Sequence, residues 1–165
     1  GYDGTARLWE VATGRGVLEL AGHAGAVNSA AFSHDDRRIV TGGDDGAVRV
    51  WDVDTGRGVL ELRSRAGAVT SAAFSPDDRW IVSVGNDGFA QIWDATTGSV
   101  MRELPVSPGW GLLSVAVSPD GRSLVSAGIE GVGRVWDASG ANTGIELRGH
   151  IGPVPTAALR DCSSA

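Results

Sequence analysis

The tripeptide Arg-x-Trp returns along this chain at a nearly constant interval. It stands at Arg7-Leu8-Trp9, Arg49-Val50-Trp51 and Arg134-Val135-Trp136, and once with glutamine in the first place, at Gln91-Ile92-Trp93. The four tryptophans are 42, 42 and 43 residues apart, and Asp52, Asp94 and Asp137 directly follow the last three. A period this regular means one supersecondary unit copied in tandem, each copy burying its apolar face against a neighbour. The 165 residues then divide into just under four units, where length alone would suggest one ordinary domain. Stacked copies also make an extended surface, and such surfaces bind.

Aligning the units on tryptophan brings their other segments into line. Val27–Ser33, Val69–Ser75 and Leu112–Ser118 read as a first strand, each followed by a turn: His34-Asp35-Asp36-Arg37, Pro76-Asp77-Asp78-Arg79 or Pro119-Asp120-Gly121-Arg122. Proline presets φ at the first turn position and aspartate bonds its own backbone further on. A second strand follows at Arg38–Thr41, Trp80–Ser83 and Ser123–Ser126. The turns Asp44-Asp45-Gly46, Asn86-Asp87-Gly88 and Ile129-Glu130-Gly131 then lead into a third strand that ends at the tryptophan. Thr13-Gly14, Thr55-Gly56 and Thr97-Gly98 reverse the chain into a fourth, Val17–Leu20, Val59–Leu62 or Val100–Leu104. The first strand is the alanine-rich one (Ala30-Ala31, Ala72-Ala73). Radially arranged sheets converge toward an axis where only small side chains fit, and Trp51 and Trp93 fill the wider gap outside. That taper favours a β-propeller over a flat sandwich.

Composition narrows the function. The 42% hydrophobic and 21% charged residues are those of a globular chain, and the 25 glycines suit many tight turns. Net charge is −6 and all 14 cationic residues are arginine, which is not the footprint of a nucleic-acid binder. No apolar run approaches membrane-spanning length. One cysteine, Cys162, rules out an internal disulfide and a multi-cysteine metal site, and a reducing cytoplasmic location fits it.

In combination, Gly22-His23, Phe32-Ser33, Thr41-Gly42, Asp45-Gly46 and Trp51-Asp52 resemble the repeat of the WD-repeat β-propeller family. The resemblance covers nearly the whole chain. It implies an all-β fold of four-stranded antiparallel blades and a non-catalytic scaffold for protein or peptide partners. Three blades read as complete, at 22–62, 63–104 and 105–147. Residues 1–21 supply the third and fourth strands of a first blade, and 148–165 the start of a further one. Family rings have about seven blades, so the chain reads as a segment of a longer propeller or one part of an assembly. Its open blade edges invite self-association.

The resemblance also implies a structural polar network. Its full set is His23, Thr41, Asp45 and Trp51; reduced sets are Ser83, Asp87 and Trp93, then Ser126 and Trp136. In the second blade Arg65 falls at the histidine position; in the third, Pro108 falls near it and Glu130 replaces aspartate. His23, Thr41 and Asp45 have the residue types of a hydroxyl-nucleophile triad. A buried His–Asp–Thr set bonded to the Trp51 indole accounts for them better, and losing a member then costs about 1–3 kcal/mol in stability.

Other chemistry finds little support. The Asp pairs at 35–36, 44–45 and 77–78 lack the spacing of a calcium loop, and His23, His34 and His150 lack that of a zinc site. No strand–loop–helix context marks a phosphate loop, so neither metal nor cofactor is expected. Partner-binding candidates lie on the connections at 21–26, 63–68, 105–111 and 148–153. Trp110, between two glycines in the connection that carries the one inserted residue, suits an interface anchor. Arg63, Arg65 and Asp44 are candidates for a mixed-charge rim beside it. The rival readings are a propeller that only supports a larger signalling protein and, further off, a propeller hydrolase.

Overall fold

The computed structural model describes residues 1–65, 67–140 and 144–159; Cys162 lies outside them. Among the described residues all the regular structure is β. Strands β1 (Thr5–Trp9) and β2 (Gly16–Ala21) form a two-stranded sheet. Three four-stranded sheets follow, all antiparallel and all in chain order: β3 (Val27–Phe32), β4 (Arg38–Gly43), β5 (Ala47–Asp52) and β6 (Gly58–Arg63); β7 (Val69–Phe74), β8 (Trp80–Gly85), β9 (Phe89–Asp94) and β10 (Val100–Pro105); β11 (Leu112–Val117), β12 (Ser123–Gly128), β13 (Gly133–Asp137) and β14 (Ile145–Leu147). These are the all-β, four-stranded blades expected from the repeat. Among the described residues, no helix is long and apolar enough to cross a membrane.

The first hairpin of each sheet is held by the same device. In the first full sheet Ser33 Oγ donates to Asp35 at 2.6 Å and accepts the Arg38 N–H at 2.8 Å; Ser75–Asp77 and Ser118–Asp120 repeat it. The turn then needs a left-handed residue, at Asp36 (φ 58°), Asp78 (φ 57°) and Gly121 (φ 70°). Asp78 uses that conformation to reach across to the neighbouring sheet, accepting the His34 and Asp35 N–H groups at 2.8 and 2.9 Å. Every first strand also bulges at the same place, between Val27 and Ser29, Val69 and Ser71, and Leu112 and Ser114. The bulged Asn28 and Thr70 donate to Val69 and Leu112 carbonyls on the next inner strand, at 3.0 and 2.6 Å.

Alternation along β5 explains how the sheets stack. Val48 and Val50 point to the following sheet, Arg49 and Trp51 to the preceding one. Trp51 and Ile39 therefore pack on Leu20 with half-buried Ala6, Leu8 and Leu18. Trp93 and Ile81 pack on Val48, Val50 and Leu62. Trp136 and Leu124 pack on Ala90, Ile92 and Leu104, with Trp80 at the margin of that cluster. Each tryptophan is thus a knob pressed into the sheet before it, and β3, β7 and β11 lie side by side along the inner edge.

Past β14, residues 154–159 form no strand. They still lie along β11: the Ala157 N–H reaches Ser114 Oγ at 3.4 Å, as the Ala72 and Val115 N–H groups reach Ser29 and Ser71 at 3.1 and 3.3 Å. Pro153 and Pro155 withhold two of the N–H donors that a ladder would use.

Candidate functional site

The connections between sheets and the turns between second and third strands meet on one face. Asp44 N donates to Ala26 O at 2.9 Å, Ser64 N to Gly46 O at 2.9 Å, Ser107 N to Gly88 O at 2.8 Å and Val154 N to Gly128 O at 3.1 Å. At Gly88 the approach is close enough to demand glycine. Its φ is +77°, and a Cβ there would stand 1.9 Å from the Ser107 carbonyl oxygen and 2.8 Å from that of Trp110.

Beneath this face lies a buried polar chain. His23 Nε2 is 2.8 Å from Thr41 Oγ1, and Trp51 Nε1 donates to the same oxygen at 2.9 Å. His23 Nδ1 is 2.8 Å from Asp45 Oδ1. The indole has only a proton to give, so Thr41 accepts it and turns its own proton toward Nε2. Nδ1 then carries the ring proton and donates to Asp45. Arg49 Nη1, although 2.8 Å from Nδ1, cannot donate to a protonated nitrogen; it donates to Asp45 Oδ2 at 2.7 Å. Burial opposes the charge on Asp45. The hydrogen bonds from His23, the Ala24 N–H, Arg49 and the Ala47 N–H outweigh it and hold the carboxyl well below the usual carboxylate range.

Arg49 was not among the residues expected in this set, yet it closes it. It is 8% exposed and also reaches Glu61 Oε2 at 3.2 Å, directly across the β5–β6 ladder. The sequence carried the signal: arginine two places before tryptophan shares its side of the strand, and glutamate recurs at 19, 61, 103 and 146. Arg7 repeats the arrangement with Asp3 at 2.9 Å and Glu19 at 3.0 Å.

In the second full sheet Trp93 donates to Ser83 at 2.8 Å, but Asp87 does not join them; it accepts the Phe89 N–H at 3.0 Å. Gln91 replaces the arginine, donating to Glu103 at 2.9 Å and accepting from Ser64 Oγ at 2.8 Å. Arg65 stays at the surface and pairs with Glu103 at 3.0 Å. The third sheet rebuilds the set with other residues. Ser107, not Pro108, occupies the histidine place and donates to Glu130, which Arg134 also bridges; Trp136 reaches Ser126 at 3.3 Å. Burial works against the Glu130 charge, and the Arg134 and Ser107 hydrogen bonds bring its pKa down regardless. On Arg134 burial likewise opposes the charge, but the hydrogen bonds it donates to Glu130 and Glu146 raise its pKa.

The remaining candidates are at the surface of the same face. Arg63 donates to the Asp45 carbonyl at 3.4 Å and pairs with Glu61; Asp44 accepts from Asn28 at 2.7 Å. Arg65, Asp87, Phe89 and Glu103 line a recess of about 170 Å³. The Trp110 backbone carbonyl lies against Gly88, between the Asp87 and Phe89 of that recess, and the residue is 52% exposed.

The comparisons with known proteins agree with this geometry. The family pattern described as WD domain, G-beta repeat, matches residues 14–52, 58–94 and 98–137, more than half of the chain. This chain belongs to the WD-repeat family. Each matched WD repeat ends at the Asp that closes a third strand; the second begins with the fourth strand of the sheet before, and the first and third begin two residues ahead of one. The chain is also similar to Autophagy-related protein 16 of Arabidopsis thaliana, 46% identical over 41 residues. That stretch is 25% of this chain and 8% of the relative, so the chain spans only a small part of it.

Proposed function

We propose that this WD-repeat chain is a non-catalytic docking module that takes a protein or peptide partner on its loop face in the cytoplasm, with Trp110 as anchor. The observation that carries the reading is the exposure of Trp110. Trp51, Trp93 and Trp136 are 4%, 3% and 7% exposed, whereas Trp110 is 52% exposed in the connection that packs on Gly88, whose neighbours Asp87 and Phe89 line a recess with Arg65 and Glu103. An indole left in water on a rigid turn gives a partner large apolar area at little entropic cost, beside charges able to fix its register. Arg63 and Asp44 extend the polar rim around the adjoining turn.

Geometry argues against the hydrolase alternative. Thr41 is 0% exposed and its oxygen already accepts the Trp51 N–H, so a substrate carbonyl has no approach to it.

Selection of displayed random peptides on the wild-type chain and on Trp110→Ala tests the proposal. Peptides that bind the wild type and lose tenfold or more on the variant, with melting curves unchanged, are the expected result. Peptides that bind both alike move the site elsewhere, and a selection that yields none leaves the blades as pure support.

A further inference from the structure

The recess of about 170 Å³ is lined by Arg65, Asp87, Phe89 and Glu103, each 42 residues after His23, Asp45, Ala47 or Glu61 of the first full sheet. In that sheet the place is filled from within. The His23 side chain is 0% exposed against Asp45, and Arg49 bridges Asp45 to Glu61. In the second sheet Arg65 replaces the histidine, and its side chain is 76% exposed. Gln91 replaces the arginine and reaches only Glu103 and Ser64. The recess is a seat that has lost both of its usual occupants.

The other units show what such a seat holds. The chain builds the same bridge three times, an arginine between a turn carboxylate and a fourth-strand glutamate: Asp3–Arg7–Glu19, Asp45–Arg49–Glu61 and Glu130–Arg134–Glu146. Asp87 and Glu103 hold the corresponding two places without it. Asp87 is half-buried and accepts the Phe89 N–H; among the described residues no side chain donates to it. Glu103 accepts Gln91 on one oxygen and Arg65 on the other. Two carboxylates thus face the single cation of Arg65. Phe89, half-buried, stands where the first sheet has the fully buried Ala47, and adds an aromatic wall.

We propose, resting on the docking role of this face, that the recess receives an arginine side chain of the partner peptide. A planar guanidinium offers paired N–H donors, which suit two carboxylates on a turn and a strand better than the point charge of lysine does. Its edge completes the bridge from Asp87 to Glu103, and its face lies against the Phe89 ring. The surface pair between Arg65 and Glu103 is worth little, so it yields readily. An apolar residue of the same peptide meets Trp110, whose carbonyl packs on Gly88 between Asp87 and Phe89. The net charge of −6 favours the approach of a basic segment.

Displayed random peptides selected on the wild-type chain are the probe, measured again on Asp87→Asn, Gln91→Arg and Trp110→Ala. Asp87→Asn keeps an oxygen for the Phe89 N–H and removes only the charge. Gln91→Arg supplies the bridge from within, as in the other units. Binders are expected to carry arginine, and to weaken about tenfold on either variant or when their arginine is exchanged for citrulline. On Asp87→Asn the citrulline exchange should cost little further. That exchange leaves the protein untouched, so it decides the matter even where a variant melts early. Binders without arginine, or binding that survives the citrulline exchange, overturn the proposal. If such binders still fail on Trp110→Ala, the docking role stands and only the arginine seat falls. Arginine peptides that need Asp87 but not Trp110 keep the seat and displace the anchor, and a selection that yields no binder overturns both.

Discussion

Replacing Thr41 by valine exchanges a hydroxyl for a methyl of nearly the same volume. Thr41 is fully buried, so the cost is electrostatic, not steric. Two groups lose their partner at once, the Trp51 indole N–H at 2.9 Å and His23 Nε2 at 2.8 Å. Each buried polar group left unpaired costs about 1–3 kcal/mol, which puts the substitution at about 2–4 kcal/mol once partial relaxation is allowed for. Ser83→Ala orphans one indole N–H held at 2.8 Å, and about 1–2 kcal/mol follows. Ser126→Ala removes a longer bond, 3.3 Å, and should cost less than about 1 kcal/mol. Urea unfolding followed by tryptophan fluorescence would rank the three, and for a chain of this size each kcal/mol lowers Tm by about 2–4 °C. A double-mutant cycle of Thr41→Val with His23→Ala should be non-additive by about 1 kcal/mol, because the two share one bond. Equal losses in the three sheets, or additivity in the cycle, would refute the claim that a continuous hydrogen-bonded chain stabilises the first full sheet.

Asp45→Asn should be destabilising at neutral pH by about 3 kcal/mol, since it leaves the buried Arg49 with only the more distant and more exposed Glu61 as counter-charge. The Asp45 pKa is depressed on folding, so its contribution is complete above the ordinary carboxylate range near pH 4 and is lost as pH falls toward the lowered value. Denaturation at pH 7, 5 and 3 should show the gap between wild type and variant constant at the first two and narrowed at the third; a gap that widens on acidification would contradict the sign. Gly88→Ala meets a carbonyl 1.9 Å from the new Cβ and should prevent proper docking of the 105–111 connection. Gly67→Ala, at φ +68° with open space around it, should cost only the backbone strain of about 1–2 kcal/mol; comparing their melting temperatures checks both.

Much of the architecture was legible because strand identity is a local matter here. Pro-Asp and Asp-Gly turns, period-two apolar runs and a tryptophan at fixed spacing act within a few residues of themselves, and the sheets follow them. The grouping of His23, Thr41 and Asp45 came from the family resemblance: a hydroxyl and an acidic residue recur in register, but histidine does not return in the next two repeats. Arg49 went unassigned although it stands in the most repeated tripeptide of the chain. Its role depends on Asp45 and Glu61 arriving from a turn and a facing strand, and only pairing register decides that. Ser107 was missed in favour of Pro108 because one inserted residue shifts the alignment in that connection, and a shift of one changes which side chain points inward.

The four tryptophans mark the division most plainly. Their spacing, set by the sequence alone, determines that they occupy equivalent places at the ends of third strands. Whether each is core or surface is decided by the sheet against it: Trp51, Trp93 and Trp136 press into one and are buried, while among the described residues no sheet covers Trp9, which is 58% exposed. Burial requires apolar surface brought from a segment tens of residues away. No local pattern carries that information, so the identity of a knob is written in the chain and its energetic worth in the packing.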